Sequence, residues 1–121
     1  SLKMLLPKVV QWLTSDGHVV PLVKPQFEAG RRQVGRGGVV REAKVHRQVL
    51  EQVAEYAQAS GLAVWSLLRS PIIGPAGNRE FFMHLRPTPA PDDFDLAQAI
   101  ESCVCAASAE TCIDSPTQRE S

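Results

Sequence analysis

Lys24 and Glu80 are the two residues whose types and settings could do acid–base chemistry here. Lys24 closes an apolar run, His18 to Val23, and Pro25 follows it at once. Val19, Val20, Leu22 and Val23 give that run the continuous apolar character of a strand buried on both faces. A charge ending such a strand is costly unless it sits at the rim, where strand hands over to loop. In open α/β sheets that rim, outside the carboxyl ends of the parallel strands, is where ligands bind. Lys24 is therefore either a rim lysine that snorkels to water or a working residue of a site. Glu80 is a carboxylate in an otherwise apolar strand. It calls for a partner.

The elements that must position this pair follow from periodicity. Leu2, Leu5, Leu6, Val9, Val10 and Leu13 recur at helical spacing and predict an amphipathic helix over Leu2 to Thr14, with Pro7 as a kink or first-turn residue. Ser15-Asp16-Gly17 is a turn, and His18 to Lys24 a strand weakened by Pro21. Pro25 to Glu42 reads as one long loop bearing Arg31, Arg32, Arg36 and Arg41 among four glycines. Its GRGG matches neither glycine-rich phosphate fingerprint. Arginines in such a loop suit a polyanion such as RNA, and the competing reading is a solvated loop with incidental charge. The clearest helix is Ala43 to Ser60, stopped by Gly61, with His46 read as a surface or loop-facing residue in its first turn. Strands are expected at Leu62 to Leu68 and Arg79 to Leu85, joined by a turn-rich Ser70 to Asn78.

A helix between the first two strands allows a parallel crossover, and the short connection before the third calls for an antiparallel return. The expected fold is the end of an α/β sheet of parallel strands plus one antiparallel last strand. If that strand lies beside His18 to Lys24, Lys24 and Glu80 meet at the ligand-binding rim.

Composition sets the bounds. A chain of 121 residues is the size of one domain, and its 44% apolar residues are ordinary for a soluble globular protein. Zero formal net charge means that any attraction for nucleic acid must be local. The first apolar run is too short to span a bilayer, which favours a cytoplasmic protein. The chain begins at Ser1 inside an expected helix and so reads as a piece of something longer. Cys103, Cys105 and Cys112 lack metal spacing and are expected as free thiols.

The series VKPQFE…GRGGVVR…GNREFF, covering about Ser1 to Arg86, resembles the C-terminal half of the TlyA-type RNA methyltransferases. These are FtsJ-like 2′-O-methyltransferases, often labelled hemolysins. The resemblance implies a Rossmann-like fold, S-adenosylmethionine as cofactor and ribosomal RNA or ribosomal subunits as partners. It also implies a lysine–aspartate–lysine–glutamate tetrad whose second lysine matches Lys24 and whose glutamate matches Glu80. The first lysine, the aspartate and the cofactor loop are expected upstream of Ser1, so this fragment alone is expected to be inactive. A ribose hydroxyl must be aligned and relieved of its proton, work suited to a lysine in its neutral form. Glu80 would hold a lysine in place. Arg31, Arg32 and Arg36 are the candidates for RNA phosphates, Arg41 and Asn78 read as structural, and Arg79 shapes the turn or touches RNA.

Residues 87–121 lie outside the resemblance. PTPAPDD reads as linker, Phe94 to Ala109 as a short helix and Asp114 to Ser121 as a disordered end. The division is thus residues 1–86, methyltransferase, and residues 87–121, linker and poorly ordered tail. Two other functions compete: a non-catalytic RNA-binding module that needs the arginine loop but not Lys24, and a membrane-damaging protein. An open strand edge predicts pairing with the missing half of the sheet, or self-association.

Overall fold

Val45, Val49, Leu50, Val53, Ala54 and Ala57 form one apolar stripe, and they are the buried face of the longest helix, α3 (Ala43–Ala59). In the computed structural model, which describes residues 1–30 and 33–108 (backbone alone at 36, 75 and 106–108), this helix lies against a three-stranded sheet. Its end is fixed by a Schellman arrangement: Leu62 N–H donates to Ala57 O (2.9 Å) and Gly61 N–H to Gln58 O (3.0 Å). Gly61 sits at φ +86°, a conformation that favours glycine.

Ahead of α3 come α1 (Leu2–Val9), a 3₁₀ turn (Val10–Trp12), β1 (Leu22–Val23) and a four-residue helix, α2 (Pro25–Glu28). After it come β2 (Ala63–Arg69), β3 (Phe81–Arg86) and α4 (Leu96–Ser108). The strand order is β1-β3-β2, with β3 antiparallel to both neighbours. β1 and β2 therefore run parallel, joined through α3, with the last strand inserted between them. Phe81, Met83 and Leu85 are fully buried on one face, while Phe82, His84 and Arg86 alternate on the other.

The first strand is much shorter than its apolar run. Pro21 cannot donate to the ladder, and what remains is the bridge Val19↔Leu85, the Met83 N–H bond to Pro21 O, and the two residues of β1. Nor is the run buried on both faces: Val20 is 55% exposed, whereas Val23 is completely buried. One side faces the core and the other does not. A hydrogen bond between the His18 and His84 rings (2.8 Å) ties the start of the run to β3.

The short helix expected over Phe94 to Ala109 is present as α4. α4 closes the core with Ile100, Cys103 and Val104, all buried, and Arg47 of α3 holds Glu101 through two hydrogen bonds of 2.9 and 2.7 Å. Three modest side chains at helical spacing suffice to cover apolar surface there. Cys103 is a free thiol, but Cys105 is disulfide-bonded, which corrects the expectation of three free cysteines. Cysteine spacing in the sequence does not show which sulfurs come within bonding reach, and pairing also needs an oxidant. The expected disorder of Asp114 to Ser121 falls outside the described residues.

Of the two places open to His46, the structure takes the loop-facing one. It is only 3% exposed, with Nε2–H donating to Val40 O (3.0 Å) and its ring set edge-on to Phe81 at 5.6 Å. Position and not polarity decides this: one step after Val45, it lies where α3 meets the preceding loop. Burial lowers its pKa, outweighing the opposing effect of the Val40 bond. The unfolded chain therefore takes up this proton first on acidification. Stability from neutral His46 is complete above about pH 6.5 and declines as pH falls toward the lower folded pKa. Denaturant midpoints should drop between pH 7.5 and pH 5, and the drop should be smaller in His46→Gln.

Candidate active site at the β1–β3 rim

The register Leu22↔Phe82, Val23↔Phe81 continues one step further to set Lys24 across from Glu80. Both lie just beyond the ladder, at the carboxyl end of β1. Lys24 is the residue before α2 and stays half-buried, its Nζ 5.5 Å from the centre of the Phe27 ring. Glu80 is 6% exposed. The sequence-derived pair is thus brought to one rim. No ion pair joins the two, however. The Glu80 carboxylate is held by Gln26, whose Nε2 donates to Oε2 at 3.1 Å.

The first turn of α2 explains that contact. Pro25 fills the first helical position, where its missing N–H is not needed, and is buried. Lys24 O then accepts from both Phe27 N–H (2.9 Å) and Glu28 N–H (3.1 Å). This tight turn swings Gln26 toward Glu80 and Glu28 toward α1, where its carboxylate accepts from Ser1 Oγ and Leu2 N–H. A carboxylate at a helix N-terminus is electrostatically favourable. Gln26 was not among the candidates from sequence, because its partner is 54 residues away and only the β1–β3 register reveals it. Gln26 Oε1 is buried without a hydrogen-bond partner, an acceptor turned into the site.

The opposite wall is the connection from β2 to β3. Ser70 N–H donates to Glu80 O at 2.8 Å, and Gly74 lies so close to the carboxylate that an added Cβ would overlap Glu80 Oε2 and the carboxyl carbon. Gly74→Ala should therefore push Glu80 off Gln26. The expected result is a lower thermal midpoint than wild type; an unchanged midpoint would show that Glu80 is free to move. Asn78, 2% exposed, fastens the preceding loop to this wall: Val40 N–H donates to its Oδ1 (2.9 Å) and its Nδ2 to Gly38 O (2.8 Å). That geometry agrees with a structural role. Gly37 and Gly38, at φ +73° and +75°, allow the loop to turn there.

The connection Pro25 to Glu42 is not one open loop, since it holds α2 and a 3₁₀ turn at Arg36–Gly38. Arg31 and Arg32 lie outside the described residues, and Arg36 is placed only by its backbone at the start of that turn. A cleft of about 400 Å³ between this connection and α3 is lined by Glu28, Glu51, Glu55 and several amides. Those carboxylates make its described lining unfavourable for phosphate.

Two strands in parallel with an antiparallel strand between them, packed on α3, form part of an α/β domain. The chain belongs to the FtsJ-like methyltransferase family, whose sequence pattern matches residues 1–87. It is 45% identical over 85 residues to YqxC of Bacillus subtilis, provisionally named an rRNA methyltransferase. It is 44% identical over 86 residues to the 16S/23S rRNA (cytidine-2′-O)-methyltransferase TlyA of Mycobacterium tuberculosis. These matches cover 70% and 71% of this chain but 30% and 32% of the relatives, so the chain spans about a third of their length. A Streptococcus thermophilus structure provisionally called a hemolysin superposes with a TM-score of 0.80 at 41% identity, covering all of this chain and 42% of that one. One from Lactococcus lactis, described in the same way, gives 0.75 at 39% identity, covering 84% of this chain and 50% of that one. Among the described residues, no helix is long and apolar enough to cross a membrane.

Proposed function

We propose that this chain forms the C-terminal part of the catalytic domain of an rRNA ribose 2′-O-methyltransferase that uses S-adenosylmethionine. The observation that carries the reading is the β1–β3 register, which sets Lys24 across from Glu80 at the strand-end rim. Lys24 Nζ takes or steers the proton of the ribose 2′-hydroxyl, and Glu80, fixed by Gln26, orients the lysines of the site. Arg31, Arg32 and Arg36 hold RNA phosphates.

S-adenosylmethionine supplies an electrophilic methyl group. The described residues do not fit its seat. β1 passes into α2 through Lys24 alone, and Pro25 has no N–H to offer, so this strand-to-helix turn lacks the glycine-rich cradle a nucleoside cofactor needs. The cofactor's seat, the first lysine and the aspartate then belong to a preceding part of a longer chain, and the fragment expressed alone transfers no methyl group. Among the described residues β1 pairs on one side only. Its open edge is where a further strand of the same sheet adds, or where isolated fragments associate.

Incubation of the whole protein with rRNA and methyl-labelled S-adenosylmethionine tests the reading. Label should enter RNA with the whole protein and not with residues 1–121. RNA binding without any transfer would favour a non-catalytic RNA-binding module. Dye release from lipid vesicles would support a cytolysin.

A further inference from the structure

Phe27 is 69% exposed, an unusual position for a large aromatic side chain. Its backbone is held firmly. The helix α2 is anchored on one flank by the Gln26–Glu80 bond and on the other by Glu28, which accepts from Ser1 Oγ and Leu2 N–H. Pro25 beneath it is buried. The ring therefore projects from a pinned turn and stands beside the amine that handles the ribose hydroxyl, 5.5 Å from Lys24 Nζ. In a nucleotide the base hangs from the carbon next to the one bearing the 2′-hydroxyl. An aromatic face beside the group acting on that hydroxyl lies within reach of the base.

We infer that Phe27 is a positioning residue of the substrate site, on which the unpaired base of the target nucleotide, or of its immediate neighbour, stacks while Lys24 engages the ribose. The inference rests on the methyltransferase reading above. Stacking suits this chemistry because every base has a π-face, and single-stranded RNA is commonly held on aromatic side chains. A platform already fixed by hydrogen bonds on both flanks loses little freedom when the base arrives.

The test uses the whole protein with rRNA substrate and compares wild type with Phe27→Ala, Phe27→Leu and Phe27→Trp. The Ala and Leu variants should raise KM for RNA about tenfold, and Trp should restore it, because stacking needs a π-face and not merely apolar volume. Thermal midpoints of all four should agree. A Leu variant equal to wild type would overturn the stacking role while leaving the methyltransferase reading intact. So would a marked fall in the thermal midpoint of the Ala variant, which would make Phe27 a packing residue of the whole protein. Absence of methyl transfer by the wild type itself would overturn both.

Discussion

Lys24→Ala in the whole protein should reduce methyl transfer to rRNA by about a thousandfold or more, the range expected when a positioned proton acceptor is removed. RNA affinity should hardly change. Lys24 is a single half-buried cation at a strand end, whereas affinity for RNA is built from many phosphate contacts. Lys24→Arg separates two roles for the amine. Arginine keeps the positive charge but does not give up its proton at accessible pH. If Lys24 only steers the hydroxyl electrostatically, the Arg variant should retain a measurable share of activity; if it accepts the proton, Arg should be as inactive as Ala. Glu80→Gln should also lose activity, since a neutral amide no longer pairs with a lysine ammonium. Undiminished methylation by Lys24→Ala would remove the catalytic assignment.

Phe81→Ala should carry the largest stability cost, about 3–5 kcal/mol. Phe81 is fully buried, begins β3 between both neighbouring strands and meets the His46 ring edge-on. Truncation opens a cavity between the sheet and α3 and removes the ring against which His46 is set. It also lies next to Glu80, so the cavity undermines the rim. Net stabilities of single domains are about 5–15 kcal/mol, so this one substitution removes a large part of the margin. Denaturant midpoints of the whole protein measure it directly. A cost under about 1 kcal/mol would mean that the site collapses around the missing ring. Phe82→Ala, on the half-buried face one residue on, should cost much less.

The sequence makes the skeleton legible where a pattern is long and regular. The stripe of α3, its glycine stop and the alternation of Phe81, Met83 and Leu85 each follow from local spacing, and the antiparallel placement of β3 follows from connection length. Lys24 and Glu80 could be paired in advance for the same reason: both stand at strand ends. What stays hidden depends on contacts between distant residues. Gln26 matters because β3 lies beside β1, and Gly74 matters because it leaves room for a carboxylate. His46 could be read as facing the loop, but its burial depends on the loop at Val40 folding over it. Pro21 announces a weak strand, but only pairing shows how little of the ladder survives. α4 is weakly amphipathic in sequence, and its burial comes from surface left open by β2 and α3.

The most direct measurement of the central claim is nucleoside mass spectrometry of rRNA treated with the whole protein and S-adenosylmethionine, wild type beside Lys24→Ala. A 2′-O-methylated nucleoside is expected in the wild-type reaction, with its loss in the variant. A methyl group on a base, no methylated nucleoside at all, or the same ribose methylation in both reactions would contradict it.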